Sequence, residues 1–257
     1  MRHSVTKYLT TLLCFGLVGG AFAGPPVDMW APGELWLAAE YASSHRPVPG
    51  GDEFNTETST LPTQSNRVIL KGGYQVYQFV DVFALLGFAD LRVGADDPTF
   101  NDYNGEMSLA YGGGLQFGYL YSPYNIGSSL TTTVMGFTNR AEVSNQLRRV
   151  VNRYNWYEIQ LEWTASYPLE SITPFLGLEK TYLTGSHEVD DYFLGRLQPG
   201  PTGSNAYSDP GQSWRPLAGF ALHLPGEYSA YLKISGMSSD DFLFTVGISQ
   251  GSKSSKR

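Results

Sequence analysis

From residue 35 onward the chain alternates with a period of two. In LWLAAEY, Leu35, Leu37, Ala39 and Tyr41 share one parity, and Trp36, Ala38 and Glu40 the other. Val68, Leu70, Tyr74 and Val76 stand opposite Arg67, Lys71 and Gln75. Phe83, Leu85, Ala89, Leu91 and Val93 share a parity, with Asp90 and Arg92 on the other. In MSLAYGGGLQFGYLY, Met107, Leu109, Tyr111, Leu115, Phe117, Tyr119 and Tyr121 oppose Ser108, Ala110, Gly112, Gly114, Gln116 and Gly118. The pattern continues around Met135 and Phe137, then in WYEIQLEWTASY, where Tyr157, Ile159, Leu161, Trp163, Ala165 and Tyr167 oppose Glu158, Gln160 and Glu162. Runs at 172–182, 214–224, 228–235 and 242–249 repeat it. Strict alternation argues half-buried strand throughout. About ten strands are predicted, eight being the smaller possibility, each near the ~9–11 residues that a tilted membrane strand needs.

The connections alternate too. Those predicted at 43–66, 95–105, 145–155 and 185–213 are long or polar, and those at 78–80, 122–128, 168–171 and 225–227 are tighter. Long and short ends segregate, as in an all-β, single up-and-down antiparallel barrel with minimal hairpins on one rim and elaborated loops on the other. An even strand count brings both termini to the short-turn rim.

Which parity is inside follows from volume. One is rich in Tyr, Trp, Phe and Leu; the other holds Gly, Ala, Ser, Thr and isolated charges. A barrel this narrow would be overfilled by bulky side chains from every strand, so the large residues are expected outside, against lipid. Tyr119, Tyr121, Tyr157, Trp163, Tyr167, Trp214, Phe242 and Phe244 then form the lipid face and its interfacial girdles. Glu40, Lys71, Asp90, Arg92, Glu158, Glu162, Glu179, Arg215 and Lys233 face inward. Charge on the lipid face at mid-depth costs ~2–4 kcal/mol, and unpaired charge in a narrow lumen is costly as well, so these groups are expected to pair. A plugged or very narrow bore is the expectation, with a small-solute pore as the alternative.

Composition narrows the class further. The chain of 257 residues has Gly 29, Tyr 17, Phe 14 and only 16% charged residues, which suits short strands and turns. Its net charge of -7, with no basic stripe, argues against nucleic acid. No stretch beyond the N-terminus is apolar enough for a transmembrane helix, a criterion blind to half-apolar barrel strands. The opening MRHSVTKYLTTLLCFGLVGGAFA has a basic start, an apolar centre and an A-x-A ending at Ala21 and Ala23, so residues 1–23 read as a cleavable signal peptide. The one cysteine, Cys14, lies within it. The exported chain thus has no thiol for disulfides or metal. Residues 24–250 are read as the barrel and 251–257 as a polar tail.

The A-x-A leader, the alternating strands, the one-sided long loops and the amphipathic last strand DFLFTVGIS together resemble a small bacterial outer-membrane β-barrel of the opacity-type and related families. Here Ile248 is followed by SQGSKSSKR, where such families commonly end on an aromatic residue. The resemblance implies a Gram-negative outer-membrane location, contact with lipopolysaccharide, and assembly by the barrel-assembly machinery. It implies a structural, surface-interaction or narrow-pore role, with a host or surface ligand on the long loops, and no cofactor.

Some barrels of this kind are proteases or lipid A deacylases, so an outer-membrane hydrolase is the alternative. Its candidates are His187, Glu188, Asp190 and Asp191 in SHEVDDYF, with Asp96 or Asp97 opposite, placed to activate a water. The plain reading of that stretch is a solvated acidic loop. Arg148, Arg149 and Arg153 form a basic cluster in a predicted outer loop, suited to lipopolysaccharide phosphates or to solvent. His45 and His223 read as a loop residue and a lumen or turn residue. No nucleophile-elbow, zinc or phosphate-loop signature stands in a usable context. A soluble secreted barrel holding an apolar ligand is the remaining competitor.

Overall fold

The computed structural model describes residues 35–50, 59–93, 103–144, 148–197, 205–209, 214–225, 228–238 and 241–251. The predicted leader, Asp96, Asp97 and residues 252–257 of the tail lie outside them. The strands in chain order are β1 (Leu35–Gly50), β2 (Ser59–Tyr77), β3 (Val80–Ala89), β4 (Arg92–Val93), β5 (Tyr103–Asn104), β6 (Ser108–Tyr121) and β7 (Ile126–Ser144). They continue as β8 (Arg148–Ser166), β9 (Ile172–Phe193), β10 (Arg196–Leu197), β11 (Asn205–Asp209), β12 (Arg215–Leu224), β13 (Tyr228–Ser238) and β14 (Asp241–Gly251). Ten of them form a closed antiparallel barrel in the order β1-β2-β3-β6-β7-β8-β9-β12-β13-β14, and β14 pairs back onto β1. Closure leaves no free edge, so every barrel strand has a hydrogen-bonded neighbour on both sides.

One rim is made of tight turns. Gln78 and Phe79 join β2 to β3, the 3-10 turn Ser122–Tyr124 with Asn125 joins β6 to β7, and 167–171 join β8 to β9. Asn125 adopts φ 52°, a left-handed conformation that Asn tolerates, and its amide donates to the Pro168 carbonyl, tying two neighbouring turns together. The opposite rim corrects the sequence reading. The predicted loop 43–66 is mostly strand, because β1 runs on to Gly50 and β2 begins at Ser59. Of the loop predicted at 145–155, residues 148–155 are strand because β8 begins at Arg148, and β9 extends to Phe193, absorbing SHEVDDYF. Polar sequence there loses the apolar alternation while the backbone ladder continues.

The outer face carries an apolar belt. On β8 it runs from Tyr157 through Ile159, Leu161, Trp163 and Ala165 to Tyr167, and Tyr157, Ile159, Trp163 and Tyr167 are exposed. Ten residue steps at ~3.3 Å and a tilt of ~40° give a height of about 25 Å. Tyr119, Tyr121 and Trp214 are likewise exposed, and Phe242 and Phe244 are half-buried on the same outer parity of β14. Immediately beyond Tyr157 on the loop side the outer face turns polar, with Thr138 bonded to Asn155 and Asn155 to Ser186. One charge departs from the expectation that strands keep charges inside. Lys180 lies on the outer parity of β9, one outward position from Tyr182, and its ammonium sits 5.0 Å from that ring's centroid. In register it lies opposite Leu161, inside the belt, so its stem runs along the apolar surface toward the loop rim and carries the head to Tyr182.

Two bulky sets also reverse the expected orientation. Phe83, Leu85, Ala89, Leu91 and Val93 point inward, as do Met135 and Phe137. With Trp36, Ile69, Trp156 and Leu183 they form an apolar cluster inside the barrel. Glycines make the room. Trp36 lies opposite Gly73, Phe83 opposite Gly114, Phe175 opposite Gly219 and Tyr231 opposite Gly247, each pair directly across neighbouring strands. A Cβ at Gly247 would fall 2.5 Å from the Tyr231 ring, so the ring occupies the space a side chain would take. Each of these four rings thus lies along the wall, while Phe137 and Trp156 face and stack on each other at 6.0 Å.

This arrangement is testable at one position. Gly247→Val is expected to destabilise the barrel by about 1–3 kcal/mol through overpacking, with the Tyr231 hydroxyl displaced from Glu40. Adding Tyr231→Leu should return part of that loss. Urea unfolding of the folded barrel in detergent measures both.

Candidate functional site in the lumen

Inward parity brings charged side chains from β1, β2, β8, β9, β12, β13 and β14 to one interior. Arg67 donates to both carboxylate oxygens of Glu158, at 3.2 and 2.8 Å. The Trp156 indole N–H adds a bond of 3.3 Å to the same carboxylate. Arg46 reaches between two acids, 3.7 Å from Glu158 and 3.4 Å from Glu179. Glu179, fully buried, also accepts from Arg215, from Ser235 at 3.0 Å and from Thr181 at 3.4 Å. Arg215 turns its other terminal nitrogen to Asp241 at 2.5 Å. Lys233 pairs with Glu162 at 2.5 Å, and Lys71 with Glu40 at 2.7 Å, where the Tyr231 hydroxyl also donates.

The Arg46 and Arg67 pairs cross the bore, whereas Lys71 to Glu40 and Arg215 to Glu179 join neighbouring strands along the wall. In the closed strand order β1 and β8 are diametrically placed, so the Arg46 to Glu158 contact spans the barrel, and Arg67 on β2 reaches β8 from nearly as far. Charge balances as well: Glu40, Glu158, Glu162, Glu179 and Asp241 meet Arg46, Arg67, Lys71, Arg215 and Lys233. A neutral, hydrogen-bonded set avoids the penalty of an uncompensated buried charge. It also fills the middle of the lumen.

Of the nine residues expected inward, seven belong to this network. Asp90 does not. It sits just past β3 and accepts from the Asn66 backbone N–H at 2.5 Å and from the Asn66 amide at 3.1 Å. Arg92 also stands apart: it lies opposite Gln64, on the parity of β2 that faces away from the bore, while its neighbour Val93 is the buried one. The physical reason is the inverted face of this stretch: Phe83, Leu85, Ala89, Leu91 and Val93 hold the inward parity without interruption, which leaves Asp90 and Arg92 on the other one. Arg46, Arg67 and Asp241 were missing from the sequence-derived set. Arg67 shares the parity of Lys71 and could have been found; Arg46 was hidden in a stretch read as loop.

A continuous polar row runs through the interior. Gln75 lies opposite Asp81, Asp81 opposite Gln116, Gln116 opposite Thr131, Thr131 opposite Glu162, Glu162 opposite Glu179, and Glu179 opposite Arg215. Seven strands thus carry one polar line from the short-turn end of β2 to the loop end of β12. Glu162 and Glu179 are direct neighbours along it, a repulsion offset by Lys233, Arg46 and Arg215.

The residues considered for hydrolysis are arranged differently. His187 and Asp191 take register positions opposite Tyr154 and Val150 on β9, within strand rather than loop. Asp190, on the other parity, pairs with Arg153 at 3.0 Å, and Arg153 lies 3.7 Å from Glu188. Arg149 grips Glu142 through two bonds of 2.7 and 2.8 Å, and Arg140 adds a third at 3.2 Å. The hydrogen bond from Arg149 is the main reason the Glu142 carboxyl is held below its usual range. Arg149 and Arg153 therefore sit on the outer face of β7, β8 and β9, interleaved with acids, while Arg148 takes the other parity of β8. His45 belongs to β1, its ring 6.0 Å from Phe242, and His223 meets Thr173 at 2.8 Å.

No known protein family and no curated protein matches this sequence. Among solved structures the chain is similar to an outer membrane channel from Pseudomonas putida F1, with 10% identity and a TM-score of 0.44, over 90% of this chain and 100% of that one. It is similar to the translocator domain of autotransporter NalP from Neisseria meningitidis, with 10% identity and a TM-score of 0.43, over 97% and 95% of the two chains. Outer membrane protease OmpT from Escherichia coli gives 12% identity and a TM-score of 0.41, over 85% and 95%.

Proposed function

We propose that this protein is an integral outer-membrane β-barrel, exported on residues 1–23, whose lumen is closed by ion pairs and whose extended wall serves as a surface scaffold. The observation carrying this reading is the set of transverse pairs, Arg46 to Glu158 and Glu179 and Arg67 to Glu158, which occupy the bore where an open pore would hold water. An outer belt about 25 Å tall matches a hydrocarbon thickness, and an even-stranded closed barrel satisfies every backbone group within it. The strands β7, β8 and β9, at 19, 19 and 22 residues, exceed the ~9–11 needed to span. Their loop-side halves stand outside the bilayer and present Arg140, Glu142, Arg149, Arg153, Glu188 and Asp190.

In this placement Tyr182 and Trp214 lie at the outer girdle, and the Lys180 stem snorkels up to bring its ammonium to lipopolysaccharide phosphate. Assembly by the barrel-assembly machinery would read β14, through Phe242 and Phe244. Two measurements test the proposal. The protein should fractionate with washed outer membranes and show heat-modifiable migration, and an epitope inserted at 145–147 should be detected on intact cells. In planar bilayers the native barrel should show no resolved steps, whereas Arg46→Ala with Arg67→Ala should conduct. Stepwise conductance of the native protein would overturn the closed-lumen reading.

A further inference from the structure

Near the short-turn rim the lumen holds one acid outside the balanced network. Asp81, at the start of β3, is 5% exposed, has no ion pair among the described residues, and its Oδ1 has no hydrogen-bond partner. Gln75 lies directly opposite it on β2 and is 1% exposed. Its amide nitrogen donates to the Gln78 carbonyl at 3.2 Å in the turn, which leaves the amide oxygen, also unpartnered, as its other polar atom. Gln116 flanks Asp81 from the other side on β6, and the Trp36 indole N–H stands at the carboxylate as a neutral donor, which leaves its charge unbalanced. Two buried oxygens without partners, on facing residues, call for an electropositive occupant, because a buried unpaired carboxylate is costly.

We infer that the short-turn end of the lumen holds a small monovalent cation on the Asp81 carboxylate and the Gln75 amide oxygen. Oxygen-only ligands select a hard cation over a transition metal. Charge selects the valence. One carboxylate and a neutral amide are balanced by a single positive charge, while the other lumen acids already have Arg or Lys partners. No group of three or more His, Cys, Asp or Glu occurs among the described residues to hold a divalent ion more tightly. Approach is provided by the polar row, which continues from Asp81 to Gln116 and to Thr131, whose hydroxyl is also without a partner. This inference rests on the barrel interior alone and is independent of whether the bore conducts.

The test is the unfolding temperature of the folded barrel in detergent at pH 8, followed by tryptophan emission. NaCl is compared with choline chloride at equal ionic strength, choline being too bulky for the site. The native protein should unfold about 2–4 °C higher in NaCl. Asp81→Asn should abolish the difference, and Gln75→Leu should require severalfold more NaCl to reach it. Equal temperatures in the two salts for the native protein, as a protonated Asp81 would give, overturn the proposal. So does an undiminished rise in Asp81→Asn. Should that variant fail to fold, an unchanged NaCl dependence in Gln75→Leu overturns it instead.

Discussion

Glu158→Leu is expected to destabilise the barrel by about 3–5 kcal/mol, the largest loss of any single lumen substitution, because it strips an acid from two guanidinium groups at once. Arg67 loses both of its bonds to the carboxylate and Arg46 loses one of its two acids. Nothing nearby replaces them: across the strands Glu158 faces Met135 and Leu183, both buried and apolar. Glu179 offers a comparison. Its removal also leaves Arg46 and Arg215 short of an acid, but it relieves the repulsion with Glu162 beside it, and Arg215 keeps Asp241. Glu179→Ala should therefore cost less than Glu158→Leu. The double variant Glu158→Leu with Arg67→Leu should return to within about 1–2 kcal/mol of the native barrel, since a leucine at 158 fits between Met135 and Leu183 and Arg46 keeps Glu179. Urea midpoints of the four proteins of this cycle decide the matter. A single variant as stable as the native barrel would mean that Arg67 is solvated independently of Glu158.

The same residues show how far sequence reaches. On β8 the reading was decisive because the two parities differ in kind: Tyr157, Ile159 and Trp163 against Glu158 and Glu162 leave one arrangement compatible with a narrow bore. On β3 it failed because both parities are apolar. Val82, Leu86 and Phe88 are exposed while Phe83, Leu85 and Ala89 are buried, and alternation without contrast carries no direction. The contrast that was missing lay one strand away. Gly114 on β6 faces Phe83, so a bulky inward residue is paired with an absent side chain. That rule was available for Trp36, Phe175 and Tyr231 only once register was known.

Strand ends were the other blind spot. SSHRPVPG, with two prolines and a glycine, reads as a loop by its turn residues, yet Pro47 lies opposite Pro62 in a continuing ladder between β1 and β2. Arg46, at the centre of the closure, was lost with that stretch. The loop-side halves of the strands carry their pairing without an apolar face, so hydropathy alone underestimates their length.

The second large effect concerns the outer face and separates the membrane reading from that of a soluble barrel. Val134 on β7 is exposed, lies between Gly113 and Ile159 on the outer parity, and sits near the middle of the apolar belt. Val134→Arg should cost about 2–4 kcal/mol in a bilayer, the charge being held at mid-depth with no polar group to reach. Thr138 is on the same strand and parity, four residues toward the loop rim, where its hydroxyl already bonds Asn155. Thr138→Arg should cost only about 0–1 kcal/mol, because its guanidinium reaches the head groups. The depth dependence is the diagnostic quantity, since both substitutions add the same side chain to the same strand. In a water-soluble barrel neither position would matter beyond ~0.5 kcal/mol, and Val134→Arg would improve solubility by breaking an apolar surface. Unfolding in phosphatidylcholine vesicles measures the two costs. Equal costs for Val134→Arg and Thr138→Arg would remove lipid from the outer face of this barrel.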